Sequence, residues 1–437
     1  MSIEKEMESY FDQLFPICRS ITGPGYRKSL EIISQIIPLD IIEFPSGTQC
    51  YDWTIPDEWD IREAYIITPR GEKIAQFSKN NLHVVGYSVP VDKELSLGEL
   101  KKHLYYIESL PNAIPYVTSY YERNWGFCLP YMEYKNLQEG TYKVYIDSDL
   151  KPGNLTLGMV EIPGETGKEI LISTYLCHPS MAVNELSGPL VAAFLYRNLI
   201  SGENLRHTVR FVYCPENIGS IAFLSKYGEF LRNRLVAGYV VNCVGHGDSY
   251  TLKQSRDGNT VADRIAKNVL EHQNRPYTTI GFFPDGSDER QYCSPGFNFP
   301  VALIMRTMYG KYEEYHTSLD NKDLISFEVM KECVNTYANV IRSIDANREY
   351  LGRVQCGTPQ LSKNKKSLYR SVMDRNSFSS NDNQTRMMLD ILNYSDGKHD
   401  LLDIAEKCGY SLLELKQVAD LLETNDYLVD QALTSPL

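Results

Sequence analysis

The sequence predicts an α/β fold: a mostly parallel sheet with helices on both faces, an inserted antiparallel β domain and a C-terminal winged helix. Over residues 157–356, apolar segments of strand length alternate with amphipathic segments of helix length, as in sheets whose parallel strands are joined by crossover helices. Residues 45–156 contain short runs rich in Tyr, Val, Ile and Thr, separated by Gly, Pro, Asn and Asp, which is typical of antiparallel sheets. Residues 386–437 contain three short helical patterns, as a winged helix does.

The composition is that of an acidic globular protein. Its 437 residues, 43% apolar and 11% aromatic, are enough for the cores of two to three domains of roughly 150 residues each. The net charge of −12 disfavours nucleic acid or an anionic membrane as the main partner. The chain begins without a basic and then apolar leader, and no run of about 18 apolar residues follows, so we expect neither export nor a membrane span. Ten scattered cysteines without a C-x-x-C pair indicate reduced thiols in the cytoplasm.

Residues 1–44 are predicted to be helical and to form one α/β domain with residues 157–356. Apolar residues recur at helical spacing in MESYFDQLFPIC and RKSLEIISQII, and the breaker TGPGY separates the two segments. Within the insert, residues 45–156, we predict strands in AYIITP, LHVVGYSV, AIPYVTSYY and YKVYID. One helix, LGELKKHLYYIESL, is predicted to interrupt them.

The parallel sheet is predicted from four buried strands, which are EILISTYLC, TVRFVYCP, AGYVVNCV and PVALIMR. Helical segments such as SGPLVAAFLYRNLI and IGSIAFLSKYGEFLRNRL follow the first two. Active sites of such sheets lie beyond the carboxyl ends of the strands. The residues that follow each strand are therefore the candidate functional residues.

The C-terminal part is predicted to contain a connecting segment and a small domain. Residues 357–385 are polar, basic and rich in Ser and Asn, which is typical of a linker or of an arm lying on a surface. In residues 386–437 we predict the helices RMMLDILNY, LLDIAEKCGY and SLLELKQVADLLETN, with Ser411 as N-cap of the third. The segment DYLVDQALT is predicted to be the β-wing.

Reactive side chains follow every predicted strand of the parallel sheet. They are His178, Asn184 and Glu185 after the first strand, Glu216 after the second, His246 and Asp248 after the third, Asp288 and Glu289 in a later loop, and Arg306 and His316 at and beyond the fourth. Imidazole, carboxylate and amide groups gathered at one sheet edge are what a metal with N and O ligands and a carboxylate general base requires.

Three of these strand-end segments form motifs: H-x5-N-E-L-S-G, P-E-x-I-G-S and Y-H-T-S-x-D, in this order. They resemble those of the co-catalytic zinc aminopeptidases of the zinc exopeptidase superfamily, which implies a zinc-exopeptidase-like (phosphorylase/hydrolase-like) sheet. Over its whole length the chain is similar to a bacterial subgroup of aminopeptidase-like proteins with a β-rich insert and a C-terminal winged helix, often encoded among saccharide or secondary-metabolite biosynthesis functions. L-F-P-I-C-R-S-I-T-G-x-G, D-W-T-I-P-D-E-W-D and G-S-D-E-R-Q-Y support this narrower match.

The resemblance implies roles for three residues. His178 and His316 would be metal ligands, and Glu216 would be the general base that deprotonates water. Other roles stay open. A histidine after a strand is often structural, and Glu216 opens a helix whose macrodipole stabilises a carboxylate in any case.

The chain departs from the family's pattern at three metal-ligand positions. Asn184 replaces the bridging Asp, Asn217 replaces a terminal Glu, and Asn242 stands near the position of the third-strand Asp. A neutral amide can coordinate through one oxygen but cannot bridge two divalent cations with a negative charge. We therefore expect one zinc or another divalent ion at most. The carboxylates that could complete its shell are Glu185, Asp248 and Asp288.

Further residues are candidates for binding the substrate. Asp288 and Glu289 would hold a substrate ammonium or else form an ion pair within their loop. Arg306 would grip a substrate carboxylate or else form a buried salt bridge. A thiol hydrolase is disfavoured because Cys177 and the next residue, as neighbours on a strand, should point to opposite faces.

The sequence favours a cytoplasmic metal-dependent hydrolase that cleaves an amide bond in a small peptide or in an aminoacylated or amide-bearing metabolite. The alternative is a catalytically degenerate peptidase fold that acts as a binding or scaffolding module, in saccharide or secondary-metabolite biosynthesis. A transcriptional regulator is a third hypothesis, based on the winged helix alone. Neither nucleic acid nor a membrane is an expected partner, and association into a homo-oligomer is left open.

Overall fold

The computed structural model describes residues 2–202, 204–273, 275–361, 368 and 382–431. The strands, in chain order, are β1 Asp40–Pro45, β2 Gln49–Cys50, β3 Trp53–Thr54, β4 Glu58–Ile67, β5 Lys73–Ile74, β6 Val91–Ser96, β7 Leu104–Tyr105, β8 Phe127–Cys128, β9 Thr141–Lys151, β10 Asn154–Ile162, β11 Glu169–Tyr175, β12 Thr208–Cys214, β13 Leu235–Val240, β14 Tyr250–Lys253, β15 Tyr277–Ile280, β16 Val301–Met305, β17 Glu349–Gly352, β18 Asp396–Asp400 and β19 Leu428–Asp430. The α-helices are α1 Ile3–Leu14, α2 Pro24–Ile33, α3 Leu97–Leu100, α4 Tyr131–Lys135, α5 Ser187–Ile200, α6 Ile218–Leu231, α7 Val261–Glu271, α8 Glu289–Tyr292, α9 Phe327–Ala346, α10 Asp382–Tyr394, α11 Leu401–Cys408 and α12 Leu412–Thr424.

An eight-stranded sheet in the order β1-β10-β12-β11-β13-β16-β14-β15 forms the centre of the larger of two compact units, Met1–Ala262 with Pro276–Asn335. The strands β12, β11, β13 and β16 run parallel to one another, and β14 runs parallel to β15. The pairs β1–β10, β10–β12 and β14–β16 are antiparallel. The predicted mostly parallel sheet is therefore confirmed. All seven residues of β11 are buried, as expected of a central strand that is covered on both faces.

A second sheet of this unit is antiparallel and lies within the predicted insert. Its strand order is β5-β4-β9-β6. One face packs on a separate apolar cluster that includes Ile66, Trp125, Phe127 and Val144. The sheet and the eight-stranded sheet belong to the same compact unit. Whether residues 45–156 are a domain of their own therefore stays a prediction.

Three local predictions were wrong. Residues 40–44, expected to be helical, form together with Pro45 the edge strand β1, which pairs with β10. In LGELKKHLYYIESL the helix α3 is followed by a 3₁₀ turn at Lys101–His103 and then by β7, because the Leu-Tyr pair joins β8 in a parallel ladder. LHVVGYSV and AIPYVTSYY form no strand; isolated bridges such as Gly86 with Thr118 and Pro115 with Thr317 hold them instead.

The smaller unit consists of Asp263–Arg275 and Thr336–Leu437. Its helices α10, α11 and α12 pack on one another, and β17 pairs antiparallel with both β18 and β19. This arrangement confirms the predicted winged helix. Ser411 is the N-cap of α12 as predicted, but among the described residues its side chain makes no capping hydrogen bond. Of the predicted linker, residues 362–367 and 369–381 lie outside the described residues.

We predict that the winged helix does not bind DNA. Residues 386–437 carry four basic and ten acidic side chains. The helix that would enter the major groove, α12, presents Glu414 and Glu423, and its Lys416 is paired with Asp420. These carboxylates would repel phosphates instead of releasing counterions. Fluorescence anisotropy of a labelled duplex titrated with full-length protein should therefore detect no binding at micromolar concentration. Tight binding that weakens steeply with added salt would contradict this prediction.

None of the helices in residues 2–202, 204–273, 275–361 and 382–431 combines sufficient length with sufficient apolar character to cross a membrane.

Candidate active site

The site begins at the carboxyl end of β11, where His178 precedes an irregular helix start. A π-helical turn at Ala182–Leu186 leads directly into α5. The carboxylate of Asp320 caps this turn, because it accepts hydrogen bonds from the backbone amides of residues 182, 183 and 184 at 3.2, 2.7 and 3.0 Å. The late Asp of the Y-H-T-S-x-D motif thus fixes the helix start that carries Asn184 and Glu185.

Two motif glycines allow the helices to start close to the sheet. A Cβ atom on Gly188 would lie 2.2 Å from the carbonyl oxygen of Val241. A Cβ atom on Gly219 would lie 2.5 Å from Cδ of Pro215. Only glycine permits such approaches, and they bring the first turns of α5 and α6 beside the strand ends.

His178 is oriented by a carboxylate behind it. Its Nδ1–H donates to Oε2 of Glu185 at 2.6 Å, and its backbone N–H donates to Oε1 of the same residue at 2.8 Å. The guanidinium of Arg19 also donates twice to the His178 carbonyl, at 3.2 and 3.0 Å. Burial alone would lower the pKa of His178, but Glu185 and then Glu216 raise it. This arrangement leaves Nε2 as the nitrogen that faces the site.

Glu216 stands between β12 and α6 and reaches this nitrogen. Its Oε2 lies 3.5 Å from Nε2 of His178. Burial raises the pKa of Glu216 to about 8; His178 opposes this rise, whereas Asp288 and Glu185 add to it. Without a cation beside it, the carboxyl therefore keeps its proton at neutral pH, and binding of a cation would displace that proton.

His316 completes the cluster from the segment after β16. Its ring centroid lies 5.4 Å from that of His178, and it stacks on Tyr315 with a centroid separation of 3.9 Å. Burial and then the charge of His178 lower the pKa of His316 to about 3, so its imidazole is neutral. The ring of Tyr116 lies 4.9 Å from His178 and 5.2 Å from His316.

Tyr116 comes from the insert, whose chain is joined to the segment that carries His316. The backbone N–H of Tyr116 donates to the His316 carbonyl at 2.8 Å. Ile114 and Ser318 exchange two hydrogen bonds: the Ile114 N–H donates to the Ser318 hydroxyl at 3.0 Å, and the Ser318 N–H donates to the Ile114 carbonyl at 2.9 Å. The insert therefore forms part of the wall of the site.

The donor set fits one divalent ion. His178 Nε2, the Glu216 carboxylate and neutral His316 are the N and O ligands that zinc accepts. Bonds of about 2.0–2.1 Å in a tetrahedral shell place neighbouring ligand atoms ~3.3 Å apart, close to the 3.5 Å between His178 and Glu216. Glu185 behind His178 provides the outer carboxylate that commonly orients a metal-binding imidazole.

The same residues do not fit two ions. Asn184, at the bridging position, brings no charge. The Asn217 Oδ1 already accepts from Arg290 at 3.1 and 2.7 Å. The Asn242 side chain donates to the Ser287 hydroxyl at 2.6 Å, and its Oδ1 is buried without a partner among the described residues. A second divalent ion would thus lack the anionic ligands that offset the repulsion between the ions.

Cys177 lies closer to this cluster than expected. Its Sγ is 3.6 Å from Nδ1 of His178, so the expectation that the two side chains point to opposite faces was wrong. The reason is that β11 ends at Tyr175, and strand alternation does not extend beyond it. Burial, followed by Glu185 and Glu216, raises the pKa of the Cys177 thiol well above its usual value. The thiol therefore stays protonated, and it accepts a hydrogen bond from the Glu216 N–H at 3.3 Å.

Cys177, His178 and Glu185 also form a group with possible ligand atoms within 4.8 Å of one another. We place the ion on the other side of the imidazole, because Nδ1 is engaged by Glu185 and the thiol keeps its proton.

Two of the predicted substrate-binding residues are engaged inside the protein. Glu289 is fully buried and pairs with Lys253 at 2.5 Å. Arg306 is also buried; it donates to Glu332 at 2.9 Å and to the Gly247 carbonyl. For Arg306 the structure contains the buried salt bridge that the sequence left as the alternative to substrate binding. Glu289 also forms an ion pair, but with Lys253 at the end of β14 and not within its own loop as expected.

Asp288 and Asp248 lie in different surroundings. Asp288 is fully buried, and burial raises its pKa to about 6, with the Asn217 backbone and the Ser220 hydroxyl opposing the rise. Asp248 is exposed, and the contacts of the described residues do not join it to His178. The neighbouring His246 donates from Nδ1 to the Leu324 carbonyl at 3.1 Å. Neither Asp248 nor His246 is thus brought to the cluster.

Sequence reasoning overlooked several residues of the site. Arg19, Tyr116 and Asp320 contact or hold the cluster, although no spacing rule connects them with it. Cys177, considered from the sequence only as a nucleophile, contacts it as well. Two of them lie in quoted motifs: Arg19 in L-F-P-I-C-R-S-I-T-G-x-G and Asp320 in Y-H-T-S-x-D. The available signal was an arginine among the apolar residues of the first motif, because an arginine that becomes buried needs acceptors from another part of the chain.

Comparison with known proteins gives two matches to family descriptions. Residues 9–347 match the family described as "Domain of unknown function (DUF4910)". Residues 348–430 match the family described as "winged helix-turn-helix".

The chain is also similar to a known relative and to solved structures. A Clostridium acetobutylicum protein with the provisional name of polysaccharide biosynthesis protein with aminopeptidase-like domain is 43% identical over 95% of this chain and 94% of its own. The crystal structure of a provisionally named peptidase from the same organism is 41% identical, with a TM-score of 0.90 over 98% of this chain and 96% of that chain. The structure of BSAP, a zinc aminopeptidase from Bacillus subtilis, is 12% identical, with a TM-score of 0.56 over 78% of this chain and 95% of that chain. At this identity the similarity is one of fold.

Proposed function

Because the chain belongs to the DUF4910 family and has the fold of zinc aminopeptidases, we propose that it is a metal-dependent hydrolase of amide bonds. The observation that carries this proposal is the cluster of His178, Glu216 and His316 at one sheet edge, with Nε2 of His178 turned towards Glu216 at 3.5 Å. A divalent ion held by these residues would supply Lewis acidity to the scissile carbonyl.

The chain's own residues would perform the proton transfers. Glu216 would hold the ion through the carboxylate oxygen near His178, and its other oxygen would take a proton from the attacking water and pass it to the leaving amine, as a general base and then a general acid. Glu185 would keep the His178 imidazole oriented through the 2.6 Å hydrogen bond. The rings of Tyr116 and Tyr315 beside the two histidines would exclude water from this side of the site.

The proposed substrate is a small peptide or an aminoacylated or amide-bearing metabolite. The name of the Clostridium relative refers to polysaccharide biosynthesis, so amide-bearing saccharides belong among the substrates to be tested.

The direct test is hydrolysis of a panel of aminoacyl nitroanilides, dipeptides and N-acylated amino sugars by purified protein. We expect turnover that is lost after chelation and recovered when zinc is added back. No turnover with any of them, together with zinc binding at the site, would favour the alternative of a binding or scaffolding module. The amides at 184, 217 and 242 are the observation that supports that alternative.

We predict at most one divalent ion per chain at this site. Elemental analysis of purified protein should give no more than one equivalent of zinc, and an anomalous map should place it at His178 or His316. Chelation should cause only a modest loss of stability, because the sheet forms without the ion. His178→Asn should remove the ion, whereas His399→Asn in the winged helix should not. Two fully occupied ions bridged by a carboxylate would overturn this prediction.

A further inference from the structure

The residue after Glu216 has a strained backbone. Asn217 has φ +61° and ψ −76°, and the Ile218 N–H donates to the Glu216 carbonyl at 2.8 Å. This pattern is a γ-turn, which is rare and strained when its central residue carries a side chain. Such a conformation persists only where the surroundings enforce it.

Three side chains of the G-S-D-E-R-Q-Y motif enforce this turn, and we call Asp288, Arg290 and Gln291 the clamp. Asp288 Oδ1 accepts from the Asn217 backbone N–H at 2.6 Å. On the other side, Arg290 donates to Asn217 Oδ1 at 3.1 and 2.7 Å, and Gln291 donates at 3.2 Å. The clamp therefore holds both the backbone and the side chain of the strained residue.

The loop that carries the clamp is itself held in place by Lys253 and by a glycine. The Lys253 ammonium donates to the Asp285 carbonyl at 3.0 Å and pairs with buried Glu289, which lies between Asp288 and Arg290. Gly286 has φ +87°, and a Cβ atom there would lie 2.0 Å from the ring of Tyr309. The loop can thus adopt this path only with glycine at 286.

We infer that the clamp residues are positioning residues, which direct the Glu216 carboxylate towards His178 by holding Asn217 in the γ-turn. This gives Asp288 a role other than binding a substrate ammonium, since its Oδ1 already accepts from Asn217 and from the Ser220 hydroxyl at 3.0 Å. The inference rests on the proposed function, because that function gives Glu216 its catalytic role. The geometry that it predicts is independent of turnover.

The test uses crystal structures and zinc affinities of full-length variants. In Arg290→Met and in Asn217→Ala we expect the Glu216 carboxylate to move away from its 3.5 Å separation from His178. Zinc affinity should fall roughly 10–100-fold, as for other residues that orient a ligand. Asn217→Gly should keep Glu216 in place, because glycine adopts positive φ without strain. Arg232→Met is the matched control, because among the described residues this arginine hydrogen bonds Glu229 and Gly296 and no part of the clamp.

The double variant decides between positioning and direct action. If Arg290 acts through the turn, Arg290→Met should have little further effect in the Asn217→Gly background. An equal loss of zinc affinity in both backgrounds would overturn the inference, because Arg290 would then act on the site directly. An unmoved Glu216 in both single variants would also overturn it. A wild-type chain that binds no zinc would refute the proposed function, and the crystal structures would still decide whether the clamp positions Glu216.

Discussion

Replacing Glu216 by Gln should reduce turnover roughly 10²–10⁴-fold while the protein stays folded. The substitution is nearly isosteric and keeps a carbonyl oxygen near His178, but it removes the basicity that proton transfer from water requires. It also removes a carboxyl whose pKa burial raises to about 8, so folding no longer has to accommodate its charge at alkaline pH. The thermal midpoint of the variant should therefore be at least that of the parent above pH 8.

Steady-state kinetics and thermal melts of the same preparations measure this effect. Glu229→Gln is the matched control, because it makes the same change on α6, the helix that follows Glu216, at a side chain that is 79% exposed. It should leave both rate and stability unaffected. A Glu216→Gln variant that melts well below the parent and yet keeps its activity would mean that Glu216 is a helix cap and that another group is the base.

Replacing Lys253 by Met should cost about 3–5 kcal/mol in the free energy of unfolding. The ammonium is fully buried and donates to Glu289 at 2.5 Å, to the Tyr309 hydroxyl at 2.7 Å and to the Asp285 carbonyl at 3.0 Å. Its loss leaves the Glu289 carboxylate charged and unpaired in the interior. Because burial already raises the pKa of Glu289, the carboxylate is protonated more readily as the pH falls. The destabilisation should therefore be larger at pH 8 than at pH 5.

Urea denaturation followed by tryptophan fluorescence reports on the relevant unit, since Trp53, Trp59 and Trp125 all lie in the unit that contains Lys253. Lys28→Met breaks an exposed pair with Glu31 and should cost no more than about 1 kcal/mol. Adding Glu289→Gln to Lys253→Met should recover part of the lost stability, because no charge then remains buried. If Lys253→Met and Lys28→Met lowered the free energy of unfolding equally, the buried pair would contribute no more to stability than an exposed one, which would contradict this prediction.

The sequence alone determined the type of each major element and the edge of the sheet where the chemistry lies. The apolar run of β11 and the helical periodicity of α5 are local patterns, so they can be recognised without knowing what each element packs against. Because the carboxyl ends of parallel strands meet at one edge, the order of the strand-end motifs was enough to bring His178, Glu216 and His316 together.

The tertiary structure decided what each of these side chains contacts. The orientation of His178 by Glu185, the protonated state of Cys177 and the engagement of Arg306 by Glu332 depend on burial and on exact partners, which spacing does not encode. The helix expected after Leu97 ended early for the same reason: its Leu-Tyr pair is held in a ladder with β8, more than twenty residues away. Long-range contacts overrule local propensity when they bury more apolar surface or satisfy more hydrogen bonds than the local structure would. This is why the fold could be predicted from the sequence, whereas the positioning of Glu216 could not.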